Sequence, residues 1–175
     1  VDHVNDYSSD GFYMGLFLSS DVGKPLFNRK SFGDASSLSS NFSHLCQLLA
    51  QTKENRFVVS GFGESCWPLS IARDLPGFLA QLPELIKCAE QKTSHFALKF
   101  PLSTEQRQLD FHYIFSGYKI EASSPAIWRP IPRFEFVDIR RLQQLLVNMR
   151  SAIAHFILRN TQDTSVYRWI KGWAA

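Results

Sequence analysis

Leu38, Phe42, Leu45 and Leu49 recur at steps of four and three, the apolar stripe of a helix that ends near Lys53-Glu54-Asn55. The Ser-rich stretch 31–43 leads into it, and Ser36 or Ser37 stands where an N-cap is needed. Ahead of this helix, Gly11 to Leu18 is rich in aromatics and reads as one or two strands, followed by turn chemistry over Asp21 to Pro25. Behind it, Arg56 to Phe62 is a β-prone run, with Gly61 and Gly63 marking a turn or bulge. Trp67 to Ile71 reads as a further strand. Asp74, followed closely by Pro76, has the form of a capped helix start. Phe78, Leu79, Leu82, Leu85, Ile86 and Ala89 then keep one helical face. Pro83 lies inside that face. It lacks an N–H and crowds the preceding turn, so a kink or a split at Leu82-Pro83 is expected.

From residue 94 to 123 the period changes to two. Phe96, Leu98 and Phe100 alternate with polar or small residues, as do Leu109, Phe111, Tyr113 and Phe115, and then Tyr118, Ile120 and Ala122. Ser116-Gly117 supplies a tight turn. This is the signature of an antiparallel meander with one buried face. Pro125, Pro130 and Pro132 predict an irregular, extended crossing over 125–133. A helix over 139–158 follows, capped by Asp138, with Leu142, Leu146, Met149, Ile153 and Phe156 on its buried stripe. The tail carries Tyr167, Trp169 and Trp173 and is expected to dock. The pattern as a whole predicts an α+β fold, an antiparallel sheet packed with amphipathic helices, in a single domain over 1–175.

Composition narrows the class. Of 175 residues, 45% are hydrophobic and 15 are Phe, enough apolar surface to exclude a disordered chain. No apolar run reaches the ~18 residues of a membrane span, so no membrane association is expected. The net charge is only +3, but residues 125–175 hold eight basic side chains, seven of them Arg, against three acidic ones. That third of the chain is expected to present a positive face, suited to acidic proteins or nucleic acid. Cys46, Cys66 and Cys88 are too few and too dispersed for a disulfide framework or a zinc site. They read as reduced thiols, and with an N-terminal stretch lacking signal-peptide character they favour a cytoplasmic location.

Candidate chemistry is sparse. Gly63-Glu64-Ser65-Cys66-Trp67 approaches a nucleophile elbow, but Trp67 stands where the sharp turn needs glycine. His112 and Asp110 share one strand face, two residues apart, a pairing open to a metal or acid–base role. No phosphate loop or helical metal pair is present, and no cofactor is expected. Nucleic-acid binding by the Arg-rich third, with its Trp residues, is an alternative without a recognised motif behind it. An enzyme of unfamiliar type is another.

The segment Arg56 to Leu85 (RFVVSGFGESCWPLSIARDLPGFLAQLPEL) resembles small bacterial immunity proteins of toxin–immunity and contact-dependent inhibition systems. The likeness lies in a β-run, then Trp-Pro-Leu-Ser-Ile, then a helix opening Asp-Leu-Pro. The resemblance implies a non-catalytic protein that binds and neutralises a cognate toxin in the cytoplasm. It supplies no functional residues, because binding residues in such proteins differ with each toxin. From the sequence itself, Trp128, Arg129, Arg133, Arg140 and Arg141 are the candidate partner-binding residues, since Arg and Trp are enriched at interface hot spots.

Overall fold

A computed structural model describes residues 11–19 and 38–175. The expected Ser36 or Ser37 cap and the Asp21–Pro25 turn lie outside the described residues. The fold is α+β. A two-stranded antiparallel sheet pairs β1 (Tyr13–Phe17) with β2 (Arg56–Ser60). A four-stranded antiparallel sheet runs in the order β3 (His95–Lys99), β4 (Gln108–Ile114), β5 (Gly117–Ser123) and β6 (Phe134–Asp138). The helices are α1 (Leu38–Leu49), α2 (Leu75–Glu90), α3 (Ile139–Arg159) and α4 (Thr164–Ala174). α2 packs against α1, α3 and β3, and α3 against β1 and α4.

The meander over 94–123 forms, but Phe115 leaves the alternation: it sits in the turn between β4 and β5 at φ 53° and is 96% exposed. Phe96, Leu98, Leu109, Phe111, Tyr118, Ile120 and Ala122 all face the core. α3 is one continuous helix, and all five of its expected core residues are buried. Its start is fixed by the Asp138 carboxylate, which accepts the backbone N–H of Arg140 at 2.8 Å and of Arg141 at 3.4 Å. The tail docks as α4, burying Val166, Ile170 and Trp173.

Three local expectations are corrected, and one unexpected strand is added. Trp67 to Ile71 is not a strand. Pro68 has no N–H for a ladder, and the Asp74 carboxylate captures the Ser70 N–H at 2.7 Å, curling the chain into α2. Asp74 sits in the N-cap position but its backbone is helical, at φ −95° and ψ −34°, and its side chain makes no cap hydrogen bond to α2. α2 is not split at Pro83 but continues to Glu90. The carbonyl that Pro83 leaves without a helical donor belongs to Leu79, four residues back. It accepts instead from the Trp173 indole N–H of α4 at 3.3 Å. Finally, the crossing over 125–133 leads into β6, a strand the meander pattern did not include.

Aromatic side chains tie the two sheets together. Phe96 stacks on Phe111 at 4.6 Å between ring centroids, and Phe111 meets Phe12 edge-on at 6.1 Å. The series continues through Phe62 and Trp67, and Trp67 meets Trp128 at 5.2 Å. The core therefore reaches the loops at one end of the sheet, where the candidate site lies.

Candidate functional site

Three loops meet at that end: the 61–67 turn after β2, the 100–107 connection between β3 and β4, and the 124–133 crossing between β5 and β6. Gly61 and Gly63 both take positive φ, and a side chain at Gly63 would strike the Ile131 carbonyl. The turn can thus approach the crossing closely, and the Ile131 N–H donates to the Phe62 carbonyl at 3.2 Å.

Arg107 holds the three loops together. Only 2% of it is exposed. Its Nη1 and Nη2 donate to the two carboxylate oxygens of Glu64 at 2.7 and 3.0 Å, a bidentate fork. Its Nε donates to Glu105 at 2.6 Å, and Nη2 also pairs with Glu105. The guanidinium lies between two indoles, 4.6 Å from the Trp67 ring centroid and 3.8 Å from that of Trp128. The Trp128 Nε1–H donates to Glu64 at 2.5 Å, and the Ser124 hydroxyl donates to the Glu105 carbonyl. Every guanidinium nitrogen has a carboxylate partner within the fold. The cluster is suited to fixing loop geometry rather than to receiving a ligand.

The candidate residues divide accordingly. Trp128 is half-buried as the lid of this cluster. Arg129 is exposed and folds its Nη1 back onto the Ala126 and Trp128 carbonyls at 2.8 and 3.0 Å. Arg133 is exposed and pairs with Glu121 across the sheet at 2.7 Å. Arg140 and Arg141 lie beyond the far end of β6, and the strand between them and Arg133 spans roughly 16 Å at ~3.3 Å per residue. The five residues therefore form two groups at opposite ends of β6. Arg140 also borders a shallow groove of about 320 Å³ between α2 and α3, together with Glu90, Gln143 and Gln144.

What sequence reasoning missed is the apolar content of this surface. Ile127 is 93% exposed and Ile131 78% exposed on the crossing, while Phe134 and Phe136 project from β6 at 54% and 52%. The alternation Phe134-Glu135-Phe136-Val137 was a readable signal for β6, although alternation does not say which face meets water. Arg107 lay in a polar run, Ser103 to Gln108, with nothing to mark it as buried.

The other chemical candidates are dispersed. Cys66 is exposed, Cys46 is buried and Cys88 lies between. Burial pushes the Cys46 thiol far above its ordinary pKa, so it is held protonated. Asp110 lies 3.3 Å from Nε2 of His95 on the neighbouring strand, and the His95 and His112 rings stand 4.7 Å apart. Among the described residues, no group of three His, Cys, Asp or Glu side chains is placed to hold a metal, and no helix is long and apolar enough to cross a membrane. Comparison with family models gave no match, and comparison with curated proteins and with solved structures gave no significant match.

Proposed function

We propose that this chain is a non-catalytic binding protein of the immunity type, which docks on a cognate bacterial toxin domain in the cytoplasm and neutralises it. The observation that carries the reading is the exposure of Ile127 and Ile131 on a loop held rigid from within. Trp128, between them in sequence, is gripped by Arg107 and Glu64, and the Ile131 backbone is bonded to Phe62. A rigid loop loses little entropy on binding, and apolar side chains already ordered in water gain from being covered. Phe134 and Phe136 extend the apolar surface, and Arg129 and Arg133 stand beside it as a polar rim.

The test is to coexpress the chain with the effector domain encoded beside its gene and to titrate that domain's activity with purified protein. Growth rescue and inhibition saturating at one chain per effector are expected. Ile127→Asp is expected to keep the fold, being almost wholly exposed, and to weaken inhibition at least tenfold, roughly the 1.4 kcal/mol of a modest hot spot. The double variant Arg140→Glu, Arg141→Glu asks whether the second cationic group takes part. An effector unaffected by stoichiometric protein would refute the reading.

A further inference from the structure

We propose that His95, Asp110 and His112, on the outer face of the four-stranded sheet, bind a divalent metal ion of the zinc type. The site is separate from the loop surface of the binding reading and does not depend on it.

Strand pairing brings the three side chains together. The Tyr113 N–H bonds to the Ser94 carbonyl and the Phe100 N–H to the Arg107 carbonyl, both at 2.9 Å. With the register His95↔His112, these bonds put residues 94, 96, 98 and 100 in the hydrogen-bonded pairs with β4 and leave His95 and His112 in a non-hydrogen-bonded pair. Side chains stand closest in such pairs, with Cβ atoms ~5 Å apart. Asp110 precedes His112 by two residues and shares its face. All three therefore project from one side of the β3–β4 pair, opposite the core that Phe96 and Phe111 fill.

The donor spacing is that of a metal site. Nε2 of His95 and Oδ1 of Asp110 stand 3.3 Å apart, longer than the ~2.7–2.9 Å of a charge-assisted hydrogen bond. Two donors at ~2.05 Å from a zinc ion, separated by the tetrahedral angle, lie ~3.3 Å from each other. The His112 ring packs beside that of His95, 4.7 Å between centroids and tilted by 35°. It does not yet converge with the other two donors, and a turn about its side-chain torsions brings a nitrogen to the ion. Two imidazoles and one carboxylate suit zinc and leave its fourth position to water.

An outer shell is also in place. Gln108 Nε2 donates to both Asp110 oxygens, at 2.9 and 2.8 Å, which orients the carboxylate and leaves it lone pairs for an ion. Neighbouring charges are engaged elsewhere. Lys119, opposite His112, holds its ammonium 4.3 Å from the Phe134 ring centroid, and Glu121, opposite Asp110, pairs with Arg133. Lys99 stands opposite Gln108, at the other end of β3 from His95.

The experiment uses the full chain, stripped with a chelator, and Zn²⁺ or Mg²⁺ alone as the probe. Imidazole signals are followed by nuclear magnetic resonance and stoichiometry by calorimetry. Zinc is expected to move the His95 and His112 signals together and to saturate at one ion per chain. Magnesium, which prefers oxygen ligands, is expected to leave them in place. Gln108→Ala should weaken zinc binding about tenfold, the lower end for an outer-shell group, and His95→Gln and Asp110→Asn should each weaken it more. Cys66→Ser removes the exposed thiol and should leave the affinity unchanged. Zinc that fails to saturate the native chain by about 1 mM, or that moves the signals of the other histidines instead, would overturn the site. So would binding lost with Cys66→Ser, or an Asp110→Asn chain that binds as tightly as the native one. The titration of the native chain decides the matter even if a variant does not fold.

Discussion

Trp173→Phe tests how α2 tolerates a proline in its interior, at Pro83. The indole N–H is the donor to the Leu79 carbonyl at 3.3 Å, and Pro83 cannot supply the helical N–H that would normally serve it. Leu79 is fully buried and Trp173 nearly so. Replacing the indole with a phenyl ring removes the donor and leaves a buried acceptor unsatisfied, at about 1–3 kcal/mol, in addition to a packing loss from the smaller ring. Pro83→Ala supplies a helical N–H to the same carbonyl. In the Pro83→Ala background the packing loss remains but the orphaned acceptor does not. A double-mutant cycle therefore cancels the packing component and isolates the hydrogen bond. The assay is urea unfolding of the wild type, both single variants and the double variant, followed by far-ultraviolet circular dichroism so that loss of a Trp does not alter the probe. Trp173→Phe should cost about 1–3 kcal/mol less in the Pro83→Ala background than in the native one. Two costs equal within ~0.5 kcal/mol would show that the indole and the proline are uncoupled, and the reasoning would fail.

Arg107→Met keeps much of the side-chain volume but strips Glu64 and Glu105 of their cation. Each carboxylate is 32% exposed, which places the expected loss near ~3 kcal/mol, the lower end for breaking a buried pair. Near-ultraviolet circular dichroism should report release of Trp67 and Trp128, and an unchanged spectrum and unfolding midpoint would argue against the lock. Leu146→Ala, at a buried position in α3, should cost about 2–5 kcal/mol in the same urea assay. The Tyr118 phenol donates to the Cys88 and Thr93 carbonyls, and burial pushes its pKa up from 10 to about 12. The stability tied to its proton is full below pH 10 and falls as pH rises through about 12. Tyrosinate absorbance should show one late transition that Tyr118→Phe removes.

The elements with an unbroken period were legible in the sequence. Leu142 through Phe156 and the alternations Phe96 to Phe100, Leu109 to Phe111 and Tyr118 to Ala122 state their own secondary structure and their buried face, because side-chain direction follows directly from backbone period; Phe115, where the chain turns, does not. The Asp138 cap was legible for the same reason, since its acceptor and donors lie within three residues. Period could not settle elements whose state depends on distant partners. Pro83 was tolerated because a Trp 94 residues beyond Leu79 reaches the carbonyl that the proline frees. Asp74 bonded backward to Ser70 instead of capping forward.

The candidate site follows the same division. The sequence determined that the C-terminal third is rich in Arg and that the 125–133 crossing is irregular, because charge and proline content are local properties. Only the tertiary structure decided that Trp128 lids a buried Arg107, that Arg133 and Arg140 stand at opposite ends of β6, and that Ile127, Ile131, Phe134 and Phe136 face water. The physical reason is that burial is set by which surfaces meet. Arg107 is held by Glu64, 43 residues away, and by Trp128, so nothing in its own neighbourhood could reveal its place in the core.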